Sequence, residues 1–262
     1  MPVYNEAATI SAIVDAVVRI PHFLELIIVD DCSSDGTDSV AADLARNNPK
    51  IRHLRHERNQ GKTEALKTGF AQSKGDVVIV QDADLEYDPE EIADVIGPII
   101  NGHADVVYGS RFMVKKAARI LYFGHYLANK ALTFLSNCLT NLNMSDIETC
   151  YKAFRGDIIR NMTISSSGFG FEVEVTAKIA KLNCSIYEVP ISYYGRTYEE
   201  GKKIGTRDGI AALFYIIRYN VFTSLKSSFQ NRDAVLAAFS ANRLAGEHNV
   251  PAVKPLPFSG KS

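Results

Sequence analysis

Val77-Val78-Ile79-Val80-Gln81-Asp82-Ala83-Asp84-Leu85-Glu86 is an apolar, β-branched run that ends in acidic residues at every second position. Such a run predicts a buried strand whose tail delivers carboxylates to the exposed C-terminal edge of a sheet. Side chains alternate along a strand, so Asp82, Asp84 and Glu86 share one side if the extended geometry continues. Adjacent carboxylates repel one another unless a cation lies between them. A hard divalent ion, Mg²⁺ or Mn²⁺, held by few protein oxygens and completed by a ligand's phosphates, suits such a set. The competing reading of the stretch taken alone is a solvated acidic turn.

Upstream of it, strand and helix patterns alternate. Ile10, Ile13, Val14, Val17 and Val18 recur at helical spacing within about Ala7 to Arg19. Leu26-Ile27-Ile28-Val29 is a buried strand ending at Asp30-Asp31, and Cys32-Ser33-Ser34-Asp35-Gly36-Thr37 is a turn rich in capping residues ahead of a second helix. A short strand near Ile51 to Leu54 precedes Asn59-Gln60-Gly61-Lys62, which opens a helix bearing Ala65, Leu66 and Phe70. Downstream, Pro89 starts a helix that Pro98 is expected to end or kink, and Ala104 to Gly109 is another strand. This alternation predicts an α/β domain with a mostly parallel central sheet flanked by helices. Ligands of such sheets bind at the carboxyl ends of the strands, where Asp30-Asp31, Asp82-Ala83-Asp84 and Gly109-Ser110-Arg111 fall.

With 262 residues, 46% of them apolar, the chain can bury a substantial core. A formal net charge of -1 argues against a general nucleic-acid binder. Cys32, Cys138, Cys150 and Cys184 form no CxxC pair, which predicts reduced thiols and no zinc site. The opening Met1 to Glu6 lacks the basic start and apolar run of a signal peptide, so a cytoplasmic protein is expected.

Beyond Arg111, a basic stretch with Lys115, Lys116 and Arg119 leads into a long helix in which Leu121 to Leu135 repeat at threes and fours. Cys150 to Phe154 and Ile186 to Val189 are predicted strands, with Pro190 marking an edge or an end. Gly168-Phe169-Gly170-Phe171 opens a helix containing Glu172 and Glu174, and a last helix runs from about Asp208 to Phe229. Residues 1–230 are expected to form the domain and 231–262 a mobile tail.

Pro2-Val3-Tyr4-Asn5-Glu6, Val29 to Thr37, Asn59-Gln60-Gly61-Lys62, Asp82-Ala83-Asp84 and Gly109-Ser110-Arg111, in this order, resemble family 2 glycosyltransferases of the GT-A fold. The nearest likeness is to dolichyl- or polyprenyl-phosphate mannose or glucose synthases. The resemblance implies inverting, metal-assisted transfer of a hexose from a GDP- or UDP-linked donor. It places Pro2, Tyr4 and Glu6 around base and ribose, Val29 and Asp31 at the base, and Asp82 and Ala83 near the ribose and first phosphate. Asp84 becomes the principal metal ligand, with Glu86 beside it, and Lys62 lies near the nucleotide. Arg111, Arg196 and Lys202, or Lys203 at adjacent register, match positions that contact the donor diphosphate or the acceptor phosphate.

Residue by residue, plainer roles compete: Asp31 as a helix cap, Asp146 as an acceptor for backbone amides, and any single Arg or Lys as a surface charge. Gly61-Lys62-Thr63 lacks the first glycine of a P-loop, and no G-x-G-x-x-G follows Val29, which sets aside a Rossmann dehydrogenase. A polyprenyl phosphate acceptor is already anionic and needs no base. A sugar-hydroxyl acceptor needs one, and Asp146 or Glu148 is the candidate. The family ordinarily carries an apolar strand before its Pro-x-Tyr-Asn-Glu motif, so the sheet is expected to lack its first strand or to have it encoded upstream. A non-catalytic nucleotide-sugar-binding homologue is the alternative this departure raises. The helix from Asp208 is interrupted by Arg218, Asn220 and Lys226, so it is expected to pack in the fold or lie on a surface rather than span a membrane; the basic-aromatic region from Lys115 to Tyr126 suits either a core helix or peripheral contact with the head groups of a membrane's cytoplasmic face.

Overall fold

A computed structural model describes residues 1–113, 119, 120, 122–197, 199 and 206–237. Strands β1 (Pro2–Val3), β2 (Leu26–Asp30) and β3 (Ile51–Arg55) form a parallel sheet in that order, connected by α1 (Ile10–Val17) and α2 (Thr37–Asn47). The three-four spacing of Ile10, Ile13, Val14 and Val17 puts all four on the buried face of α1. Helix α3 (Lys62–Gln72) then leads to a second sheet built from β4 (Val77–Ile79), β5 (Val106–Ser110), β6 (Lys152–Arg155) and β7 (Ile186–Pro190), in the order β4-β6-β5-β7. β5 and β7 are parallel, whereas β6 runs antiparallel to both neighbours. Pro190 closes β7, an edge strand, where a missing N–H leaves no partner unpaired.

The expected missing strand is present as a short one. Pro2 and Val3 pair with Val29 and Asp30, the Met1 ammonium donates to the Ile27 carbonyl at 2.9 Å, and Asp31 N–H donates to the Val3 carbonyl at 2.8 Å. No ladder joins the two sheets among the described residues. Packing joins them instead: the Phe70 ring of α3 lies 6.5 Å from Phe154 of β6 and 5.5 Å from Phe171, the first residue of α7 (Phe171–Ala180).

Other departures have local causes. A 3₁₀ turn over Pro89–Glu91 enters α4 (Ile92–Ile100), and Pro98 falls in the last turn, so the helix runs two residues past it. A short helix, α6 (Gly156–Asn161), follows β6 without a sequence signal strong enough to predict it. α5 (Phe123–Thr140) packs against α8 (Thr206–Val221). The predicted helix to Phe229 is broken after Val221, where Ser224 and Ser227 form a capping box that starts α9 (Leu225–Ser228). The tail prediction begins too early, since Val235 is 1% exposed and belongs to the main core. Residues 238–262 lie outside the described residues, as do Lys115, Lys116, Lys202 and Lys203.

Candidate active site

A cavity of about 1450 Å³ opens at the carboxyl ends of β1, β2, β4 and β5, with α5 and α8 along its rim. Its walls include Pro2, Tyr4, Glu6, Asp31, Lys62, Asp82, Ala83, Asp84, Glu86, Arg111 and Arg196, so one site gathers most of the residues that the sequence motifs single out. Asp146 does not line the cavity, and neither does Val29. Its side chain is fully buried and packs with Ile27 and Ala65, because the pleat turns it into the layer between β2 and α3. The Val29 side chain is therefore turned away from the cavity where the resemblance expects a base.

Asp31 does more than cap a turn. Its carboxylate accepts from Gln60 N–H at 2.9 Å and from Gly61 N–H at 2.7 Å, and it lies 2.7 Å from His56 Nδ1. The other imidazole nitrogen is 2.9 Å from the Thr68 hydroxyl. Asp31 thereby fixes the Asn59–Gly61 loop against the end of β2. Gly61 has φ +91°, and a Cβ there would come 3.4 Å from the Gly168 backbone, so glycine suits both the conformation and the approach. Thr63 N–H and hydroxyl both donate to the Gly168 carbonyl, at 3.2 and 2.9 Å, which docks the glycine-rich turn on the start of α3.

That docking brings Glu172, at the start of α7, to Lys62. The Lys62 ammonium donates to Asp82 Oδ2 at 2.9 Å and lies 3.3 Å from Glu172 Oε1. Burial opposes its charge, but Asp82 and Glu172 outweigh it and hold the ammonium well above the usual lysine range. Asp82 answers in kind: burial alone would raise its carboxyl, and the Lys62 charge holds it below the usual value.

The acidic tail does not stay extended. β4 ends at Ile79, and Leu85 has φ 61°, a left-handed conformation that turns the chain and ends the strand-like alternation. Glu86 consequently accepts from the Tyr193 hydroxyl at 2.8 Å and from Arg196 N–H at 2.7 Å, anchoring a segment more than a hundred residues away. Asp82, Asp84 and Glu86 do not bring three ligand atoms within 4.8 Å of one another; among the described residues Asp30, Asp38 and His53 do, with two carboxylate oxygens and an imidazole nitrogen, and Arg55 already binds Asp38 and lies 3.6 Å from Asp30. Asp84 stands half-buried at the end of the acidic loop. Burial, and then the charges of Asp82 and Glu86, push its carboxyl up to about 7. The Arg196 charge offsets only part of this excess negative charge, which fits a divalent ion held by Asp84, with Asp82 beside it, and completed by ligand oxygens.

Two guanidinium groups face the same space. Arg111 makes a bidentate pair with Asp146, Nε to Oδ2 at 2.7 Å and Nη2 to Oδ1 at 2.8 Å, and its cation sits 5.2 Å from the centre of the Tyr193 ring. Asp146 is fully buried; burial would raise its carboxyl, but Arg111 holds it below the usual range. With both oxygens engaged, Asp146 is a counter-ion for Arg111 in this arrangement, and the expected base role is not what the geometry offers. Arg196 donates to both oxygens of Glu6, at 3.2 and 3.0 Å, and to the Asp84 carbonyl at 2.5 Å. Glu148 also reaches the cavity, its carboxyl pushed up to about 7 by burial and then by the nearby Glu172 charge. Glu172 is the wall residue the motifs missed, although the Gly168-Phe169-Gly170 turn that positions it was legible.

Fold and site together define a nucleotide-sugar enzyme of the GT-A type. The sequence model of Glycosyl transferase family 2 matches residues 1–163, and the chain belongs to that family of glycosyltransferases. Polyprenol monophosphomannose synthase of Mycolicibacterium smegmatis is 29% identical over 213 residues, covering 79% of this chain and 80% of that protein. Undecaprenyl-phosphate mannosyltransferase of Micrococcus luteus is 30% identical over 232 residues, covering 81% and 93%. Among solved structures, glucosyl-3-phosphoglycerate synthase from Mycobacterium tuberculosis, in complex with Mn²⁺, uridine-diphosphate and phosphoglyceric acid, aligns with a TM-score of 0.65 at 20% identity over 84% of this chain and 76% of that one, a likeness of fold.

Proposed function

We propose that this glycosyltransferase moves a mannose or glucose residue from a GDP- or UDP-linked donor to a polyprenyl phosphate, with inversion at the anomeric carbon. The observation that carries this reading is the state of Asp146. Cations face the cavity from Arg111, Arg196 and Lys62, whereas Asp146, one of the two carboxylates considered as a base, is bound in both oxygens by Arg111. A lipid phosphate suits such a site, because its oxygen attacks as an anion and no proton has to be removed. The names of the two mannosyltransferase relatives favour the same acceptor class.

In this reading Pro2, Tyr4 and Glu6 frame base and ribose, and Asp31 shapes the loop beside the base. Arg111 and Arg196 hold phosphate oxygens as the acceptor oxygen bonds to the anomeric carbon and the bond to the nucleoside diphosphate breaks. Asp84 and Asp82 would hold Mg²⁺ or Mn²⁺, which when bound neutralises charge on the leaving diphosphate. The Mn²⁺ and nucleotide in the named fold neighbour agree with this assignment. Lys202 or Lys203 would add a further cation toward the acceptor.

Incubation with GDP- or UDP-hexose, Mn²⁺ or Mg²⁺ and polyprenyl phosphate is expected to yield hexosyl-phosphoryl lipid. Product formed only on a saccharide hydroxyl refutes the lipid reading and supports the second one, transfer to a sugar hydroxyl, which the raised carboxyl of Glu148 favours because a base near neutrality is then available.

The apolar rim supports an acceptor held in a membrane. Ile120, Phe123 and Ile210 line the cavity, with Ile120 95% exposed, and Leu127 and Phe134 on α5 and Phe214 and Ile217 on α8 add exposed apolar side chains on the same two helices. No helix among the described residues is long and apolar enough to cross a membrane. The reading is peripheral attachment at the cytoplasmic face, with this rim in the lipid interface. Binding to vesicles containing anionic phospholipid is expected to fall about tenfold or more in the Phe123→Asp, Phe214→Asp double variant, with an unchanged thermal midpoint. Equal co-sedimentation of variant and wild type would refute the attachment.

A further inference from the structure

Two carboxylates at the cavity wall have oxygens that nothing in the protein satisfies. Glu148 precedes β6 and Glu172 begins α7; Glu148 Oε1 and Glu172 Oε2 are buried and have no hydrogen-bond partner among the described residues, and the Glu172 residue is only 5% exposed. An ionised carboxylate oxygen buried without a donor is unfavourable, so where these groups carry their charge they mark a place where a ligand donor belongs. Lys152 is near enough for its charge to act on both, but its ammonium donates to the Thr149 carbonyl and lies 5.0 Å from the Tyr108 ring centre.

The required ligand group must donate and must not be anionic. A phosphate fails on both counts, since it accepts hydrogen bonds and would be repelled. Neighbouring hydroxyls of a hexose meet both requirements, with neutral O–H donors spaced to reach more than one acceptor. Location agrees with chemistry. Lys62 bridges Glu172 to Asp82, so the orphan oxygens lie one lysine away from the acidic loop. In a nucleotide sugar the hexose is bonded directly to the diphosphate, so its hydroxyls must fall beside whatever holds that diphosphate.

We propose that Glu148 and Glu172 form the hexose-reading end of the donor site, each accepting a hydrogen bond from a hydroxyl of the transferred sugar. This rests on the nucleotide-sugar reading above. The pair also gives the site polarity: carboxylates reject the diphosphate and accept the polyol, so the donor enters with its sugar toward α7.

Equilibrium binding of GDP, UDP, GDP-mannose and UDP-glucose in Mn²⁺, to wild type and to Glu148→Gln and Glu172→Gln, tests it. Affinity for the matching free nucleoside diphosphate is expected to stay within about twofold in Glu148→Gln, while the nucleotide sugar binds about tenfold or more weakly. The monodeoxy donor lacking the hydroxyl that Glu148 reads is expected to bind wild type and Glu148→Gln alike. Because Glu172 also pairs with Lys62, the Glu148 variant decides. Equal weakening of both ligands, no weakening of either, or loss of turnover at full donor affinity overturns the proposal while leaving nucleotide-sugar transfer standing. A wild-type protein that binds none of the four ligands overturns both. Gln keeps the shape of Glu, and a thermal midpoint no lower than that of wild type verifies that the fold is intact.

Discussion

Asp84→Asn is expected to lower hexosyl transfer by about 10²-fold or more while raising the thermal midpoint of the ligand-free protein at pH 8. The two effects have one cause. Asp84 stands half-buried beside Asp82 and Glu86, and its carboxyl is pushed up to about 7 from an unfolded value of 3.8. Between those values the folded state binds more protons than the unfolded state, so this group's contribution to stability falls as pH rises through the window. Asparagine removes the repelled charge, so the gain over wild type should be present at pH 8 and fade toward pH 4. Added Mn²⁺ with nucleoside diphosphate should reverse the order, stabilising wild type by mass action and the variant little. Thermal scans at the two pH values, with and without these ligands, measure all of this. Full metal-dependent turnover in the variant, or a lower midpoint at pH 8, would sink the assignment.

The parts of this molecule that were legible in its sequence are those set by neighbours in the chain. Apolar periodicity placed α1, α3 and α4, and β-branched runs ending in acidic residues placed β2 and β4 with their carboxyl ends at one edge. What escaped depends on partners far away. Glu86 looked like a third ligand until Leu85 turned the chain and Tyr193 claimed its carboxylate. Glu6 and Arg196 meet across 190 residues, and no local pattern encodes that pairing. Val29 carries a family motif position, yet which face of β2 it takes is decided by what packs there, and Ala65 occupies that face. The antiparallel insertion of β6 was likewise hidden, because strand direction after a long helical excursion depends on how α5 packs and not on the composition of Lys152–Arg155.

Asp146→Ala is expected to destabilise the protein by about 3–5 kcal/mol, because it strands the Arg111 guanidinium, 12% exposed, without its counter-ion. A lowered carboxyl pKa fixes the sign of the pH dependence: the stabilisation from Asp146 is present above the unfolded value of 3.8 and is lost as pH falls through the lower folded value. The loss caused by the substitution should therefore be full at pH 7 and shrink in acid. A second change separates a counter-ion from a base. Replacing both partners, Arg111→Met with Asp146→Leu, should recover most of the stability, since a buried pair exchanged for apolar side chains is often neutral. Transfer should stay lost in that double variant, because the cation that holds phosphate is gone. A catalytic base behaves differently: Asp146→Asn would then remove transfer to a hydroxyl acceptor, flatten the acid limb of the rate profile and leave the midpoint almost unmoved. Urea denaturation of the single and double variants, set beside their transfer rates, distinguishes the two. A midpoint unaffected by Asp146→Ala would mean that the bidentate pair is not what holds Arg111 in the site, and the lipid-phosphate reading would lose the observation on which it rests.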